Sequence, residues 1–231
     1  MTFFPGDLTR ITYLIYLKLS RCSLAEFSNT TFSNLQVLDL SDNFFEVFHL
    51  EWLLSMKYLR YITLSKNPLT KMIWGQNTPL WNTTTRETST PFLSVVHLDM
   101  SNTVIPDIND MLLSEFPSLQ HLNISGTLIT MIKSNAFTAL NELKQIDISR
   151  NMIEDFPGRP FRGLSHLSSI FAGDIKVCCR DNLPAGFNID RCVAPVDEVF
   201  SCDDLLRSQV YRVCLWVLAF LAVAGNVYSF W

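Results

Sequence analysis

Leu119-Gln120-His121-Leu122-Asn123-Ile124-Ser125-Gly126-Thr127-Leu128-Ile129 is a complete structural unit, and Leu143-Lys144-Gln145-Ile146-Asp147-Ile148-Ser149-Arg150-Asn151-Met152-Ile153 repeats it 24 residues later. Apolar residues hold the first, fourth, sixth and eleventh places, and a small polar residue holds the ninth. The same register extends outward in both directions. It is Leu14-Leu17-Leu19-Cys22-Leu24, Leu35-Leu38-Leu40-Asn43-Phe45, Leu59-Ile62-Leu64-Asn67-Leu69 and Val95-Leu98-Met100-Thr103-Ile105. A decayed seventh copy, Leu167-Ile170-Ala172, closes the series. Residues two apart share one face of a strand, so the fourth and sixth places form a short apolar strand face.

Successive copies start 21, 24, 36, 24, 24 and 24 residues apart. That is the leucine-rich repeat period with one long interval. No single copy can bury its apolar face alone, so neighbours must stack into a continuous core. The predicted fold is α/β, a leucine-rich repeat solenoid with a parallel-strand horseshoe. The ninth-place Asn43, Asn67 and Asn151 turn the chain inward, where their amides can satisfy backbone groups of adjacent turns. Cys22, Thr103 and Thr127 hold that place elsewhere. Return segments have their own apolar spacing, as in Phe137-Leu140-Leu143, Phe161-Leu164-Leu167 and Leu113-Phe116-Leu119. The expected domains are a repeat region over 1–177 with a Thr-rich insert near 70–91, a cysteine-rich hinge over 178–206 and a membrane helix over 207–231.

A net charge of −4, from 22 acids and 18 bases, argues against a nucleic-acid partner. Of six cysteines, Cys178, Cys179, Cys192 and Cys202 crowd together, which points to a disulfide-stapled cap and an oxidising compartment. Spacing alone leaves their pairing open, although adjacent cysteines do not readily pair with each other. Their spacing does not suit a metal site, and no metal or cofactor is expected. Sequons at Asn29, Asn82 and Asn123 fit the same compartment. Asn29 and Asn82 lie where a glycan has room. Asn123 sits mid-strand, so little modification is expected there.

The N-terminus does not read as a signal peptide, because it lacks a basic start and Arg10 and Lys18 interrupt its apolar stretch. An ectodomain of this kind reads as a fragment lacking its own start. At the other end, the residues from Val213 onward are uncharged and about long enough to cross a bilayer core. Asn226, deep in that run, suits a hydrogen bond to a neighbouring helix. Arg207 and Arg212 favour a cytosolic N-terminal side, whereas the cysteines and sequons favour an extracellular one. Long domains translocate largely regardless of charge, so the extracellular placement at the plasma membrane is preferred.

Strand residues between the framework positions face the inner side of the horseshoe. One column reads Tyr16, Val37, Tyr61, His97, His121, Gln145, Ser169, and the next Lys18, Asp39, Thr63, Asp99, Asn123, Asp147, Phe171. Asp39, Asp99 and Asp147 offer charge-assisted partners to a basic peptide. Tyr61, His97 and His121 would line the same groove. Aspartate before Leu-Ser is also part of the ordinary repeat pattern, so the column reads either as a ligand surface or as scaffold. No catalytic motif is present, and the chain reads as a non-enzyme.

Three local signatures add a resemblance to the leucine-rich repeat-containing G-protein-coupled receptors. Ile170-Phe171-Ala172-Gly173-Asp174-Ile175-Lys176-Val177-Cys178-Cys179 resembles the last repeat of that family running into its double cysteine. The stretch from Cys192 to Leu206 resembles the hinge outside the membrane. Val210-Tyr211-Arg212-Val213-Cys214-Leu215-Trp216, followed by Gly225-Asn226, is similar to the first transmembrane helix. The short hinge looks most like the relaxin-receptor and invertebrate branch, while the insert and Ser229 depart from the family pattern. The resemblance implies disulfides Cys178–Cys192 and Cys179–Cys202. It also implies a peptide or protein hormone of relaxin- or insulin-like class on the concave face, and a heterotrimeric G protein engaged through segments beyond this chain. Phe200, Asp203 and Asp204 would then relay binding to the membrane bundle. The alternative is a single-pass leucine-rich repeat receptor for adhesion or innate recognition, whose helix would be followed by a basic stop-transfer segment.

Overall fold

The computed structural model describes residues 11, 13–27, 32–74, 92, 94–106, 108, 113–134, 136–153, 158–195, 213 and 216–218. Seven short strands follow the repeat register: β1 (Tyr16–Lys18), β2 (Val37–Asp39), β4 (Tyr61–Thr63), β6 (His97–Asp99), β7 (His121–Asn123), β8 (Gln145–Ile148) and β9 (Ser169–Ala172). All pair in parallel, one rung to the next, and β10 (Cys192–Val193) extends the sheet beyond them. The register aligns Tyr16, Val37, Tyr61, His97, His121, Gln145 and Ser169 in one row, as the repeat pattern predicts.

Burial follows the pattern closely. Leu38, Leu40, Ile62, Leu64, Leu98, Met100, Ile124, Ile146 and Ile148 are wholly buried between neighbouring turns. The return segments supply stacked rings, with Phe92 on Phe116 at 5.2 Å and Phe137 on Phe161 at 5.5 Å between centroids. Stacked aromatic pairs add to the area they bury, which ties these turns together in pairs on the side opposite the sheet.

The ninth-place asparagines staple successive turns. Asn67 Nδ2 donates to the Leu40 and Leu64 carbonyls, and its Oδ1 accepts from the Phe45 N–H. Asn43 bonds Leu19 and Leu40 while accepting from Cys22 and Leu24. Where threonine takes the place the bond is shorter in reach. Thr127 Oγ1 has one proton to share between the Ile124 carbonyl of its own turn and the Asn151 amide oxygen of the next. Each of these bonds removes a polar group that the stacked core would otherwise bury unpaired.

A feature absent from the apolar register lies one residue earlier. Arg21, Asp42, Lys66, Asn102, Gly126 and Arg150 all adopt positive φ, between 53° and 63°. This left-handed turn lets the N–H groups of Asp42, Lys66, Asn102 and Gly126 reach carbonyls of the following turn, so the ladder continues past the strands.

The long interval costs the sheet nothing, because β4 pairs directly with β6. The insert expected over 70–91 begins later than its composition suggests. Lys71–Ile73 forms β5, which pairs in parallel with β3 (Val47–His49) in a separate two-stranded sheet. Trp74 stacks on Phe92 at 5.8 Å, so rings close the base of the excursion. Part of the expected hinge also belongs to the array. A short 3-10 helix at Ile175–Cys178 leads from β9, and a disulfide joins Cys178 to Cys192 at the start of β10.

Candidate functional site: the concave sheet face

The inner row brings three rings into contact. Tyr61 and His97 lie 5.8 Å apart between centroids, and His97 and His121 another 5.8 Å. Tyr61 is exposed, and the two imidazoles are half-buried. Parallel pairing in register puts these residues side by side on β4, β6 and β7. The strip is therefore fixed by the register of the backbone. Burial lowers the His97 pKa, the neighbouring His121 lowers it further and Asp99 opposes both. The His97 imidazole is thereby held toward its neutral form.

The aspartate column divides into unequal members. Asp39 lies 3.4 Å from Lys18 Nζ on the preceding rung, so its charge is already answered. Burial pushes its pKa up, but hydrogen bonds from the Ser41 hydroxyl and N–H, with Lys18, bring it below the usual value. Asp99 and Asp147 form no ion pair among the described residues. They flank Asn123 on consecutive rungs, about 10 Å apart at ordinary strand spacing.

Each of these side chains also serves the scaffold. One oxygen of Asp39, Asp99, Asn123 and Asp147 accepts the N–H two residues ahead, at 2.9 to 3.0 Å. The bond holds the strand exit in an Asx turn. The ligand and scaffold readings are compatible at Asp99 and Asp147, where one oxygen holds the turn and the carboxylate forms no ion pair among the described residues. The Lys18–Asp39 pair was legible in the column order, where a base precedes an acid. The shared turn was not, because it needs the backbone path.

The family model described as "Leucine rich repeat" matches residues 12–69 and 117–173. These repeats are leucine-rich repeats. The chain is 40% identical over 57 residues to the G-protein coupled receptor GRL101 of Lymnaea stagnalis, a match covering 24% of this chain and 5% of that protein. The crystal structure of a TLR13–ssRNA13 complex superposes with a TM-score of 0.52 at 20% identity, over 73% of this chain and 20% of that one. An internalin C2 from Listeria monocytogenes str. 4b F2365 gives a TM-score of 0.45 at 21% identity, over 77% and 68% of the two chains. The TLR13 likeness is one of fold. This chain spans only a small part of GRL101 and of TLR13.

Other expected site residues fare differently. Cys178 and Cys192 are joined, and Cys179 is disulfide-bonded too. Cys202, Phe200, Asp203, Asp204 and Asn226 lie outside the described residues, as do the sequons at Asn29 and Asn82. Among the described residues no helix is long and apolar enough to cross a membrane. From the expected span over 207–231 only Val213 and Trp216–Leu218 are described; they are helical, and all four side chains are exposed.

Proposed function

We propose that this leucine-rich repeat array is the ligand-binding part of a G-protein-coupled receptor for a peptide or protein hormone, joined through its hinge to a first membrane helix. The observation that carries the reading is the concave strip Tyr61-His97-His121, beside which Asp99 and Asp147 form no ion pair among the described residues. A rigid row of rings next to open carboxylates suits a helix or strand bearing arginine or lysine, because rings take the apolar stem and carboxylates the charge. The stretch similar to GRL101 supports the receptor class. The exposed apolar side chains at Val213, Trp216, Val217 and Leu218 suit a helix surrounded by lipid.

In this reading the array stands outside the plasma membrane, with glycans at Asn29 and Asn82. A basic hormone of relaxin- or insulin-like class binds its inner face. Phe200, Asp203 and Asp204 connect the stapled cap to the membrane bundle, Asn226 bonds within that bundle, and a heterotrimeric G protein engages beyond this chain. The TLR13 likeness, being one of fold, does not favour innate recognition.

Sequencing the transcript across the Trp231 codon tests the class. Six further apolar segments are expected, and a basic stop-transfer followed by a soluble tail would overturn it. In the receptor so completed, Asp99→Asn with Asp147→Asn should weaken hormone binding by about tenfold or more. Unchanged affinity would return the column to scaffold alone.

A further inference from the structure

The C-terminal end of the array has a second surface that the concave face does not explain. A groove of about 470 Å³ lies between the turn leading into β9 and the cap that follows it. Arg159 and Arg162 line it from the turn, and Arg180 from the cap; all three are exposed. Asp181 is the one acid on its lining among the described residues. None of the three guanidinium groups forms an ion pair among the described residues. The groove also has apolar walls, with Leu183 and Pro184 buried and Phe187 half-buried.

We propose that this groove docks an acidic peptide segment of a separate protein, with its carboxylates on the arginines and one apolar side chain against Leu183 and Phe187. The local excess of positive charge stands out on a chain whose net charge is −4. Three like charges around one opening repel each other, and a bound anion relieves that repulsion. Guanidinium groups meet carboxylates in paired, directional hydrogen bonds, which selects an acidic chain over a diffuse negative surface. The apolar wall decides between a peptide and a sulfated glycan. Aromatic anchors and arginine are enriched where protein partners bind most strongly, and a glycan has no apolar side chain to set against this wall. The site is independent of the hormone reading, since it lies at the end of the array and has the opposite charge.

The test is a fluorescence-anisotropy titration of the full chain with three probes: a short Asp/Glu-rich peptide holding one phenylalanine, the same peptide with alanine in that place, and a heparin oligosaccharide. The phenylalanine peptide should bind, and its alanine counterpart should bind about tenfold more weakly. Arg162→Glu and Arg180→Glu should each weaken it about tenfold, and added salt should weaken it further. Asp99→Asn with Asp147→Asn should leave it unchanged. Melting curves check that the arginine variants stay folded. Absence of binding, or binding indifferent to the arginines or to the phenylalanine, overturns the proposal, as does heparin binding more tightly than the peptide. So does binding that emerges only once Asp197, Glu198, Asp203 and Asp204 are neutralised, since the chain's own acidic stretch would then be the occupant.

Discussion

The imidazoles of His97 and His121 sit on adjacent rungs with ring centroids 5.8 Å apart and planes tilted by 35°. Two charged rings at that separation repel, so protonating one opposes protonating the other. Tyr61 packs against His97 from the preceding rung, and Asp99, on the same strand, is the charge that favours the protonated form.

His97 should therefore titrate below the ordinary imidazole value of about 6.5. The sign for stability follows from proton counting. Between the folded and unfolded values the unfolded chain binds more protons, so stability is full above the ordinary value and falls as pH drops toward the folded one. Proton NMR of the ring resonances checks the site directly. His121→Gln should raise the His97 midpoint, and Asp99→Asn should lower it. A His97 midpoint at or above the ordinary value would mean the rings are more open to solvent than their packing implies.

The double role of the aspartate column gives a sharper separation. Asp147→Asn keeps the oxygen that accepts the Ser149 N–H, and Asn123 already fills the same place on the rung before. Its melting temperature should stay within a degree or two of the parent, an effect on the order of a few tenths of a kcal/mol. Asp147→Ala loses the turn bond and should cost about 1 kcal/mol. Equal stability of the two variants in urea melts would show that the bond does not hold the turn.

Most of the sheet was legible in the sequence because a strand buried between stacked turns announces itself by spacing. Leu38 with Leu40, or Ile146 with Ile148, can sit together on a buried face in only one register, and the columns of exposed residues follow from it. The left-handed turn before each ninth residue was not legible, since three of its places hold the bases Arg21, Lys66 and Arg150, a type that rarely adopts positive φ. Gly126 has the residue type that such a conformation favours most, and Asn102 and Asp42 are the next most tolerant of it. β10 escaped for another reason. Cys192 and Val193 are too few to show a period, and they join the sheet where the Cys192 disulfide ties them to the 3-10 helix that follows β9.

At that turn, Gly126→Ala should destabilise the array. Gly126 has φ of 63°, and a Cβ there would lie 2.8 Å from Asn102 Oδ1. The Asn102 side chain can swing aside, so backbone strain sets the cost at about 1 kcal/mol. The converse, Lys66→Gly, relieves the strain of a non-glycine residue at φ 56° and should be neutral or slightly stabilising, by at most about 1 kcal/mol. Chemical denaturation of both variants checks the pair. A stable Gly126→Ala would show that the turn can adopt another path.

Asn67 offers the largest single loss. Its amide bonds the backbone of two turns, and its relative exposure is 2%. Asn67→Ala leaves the Phe45 N–H and the Leu64 carbonyl without that partner in a closed core, while the Leu40 carbonyl keeps its bond from Asn43 Nδ2. At about 1–3 kcal/mol for each stranded group, the variant should lose several kcal/mol and melt well below the parent. Asn67→Thr should recover only part, because Thr103 and Thr127 bond the carbonyl of their own turn at the same place and a hydroxyl has a single proton where the amide has two, so none is left for the preceding turn. Full recovery by threonine would mean that the bond across turns adds little, and that the array is held by its apolar rungs alone.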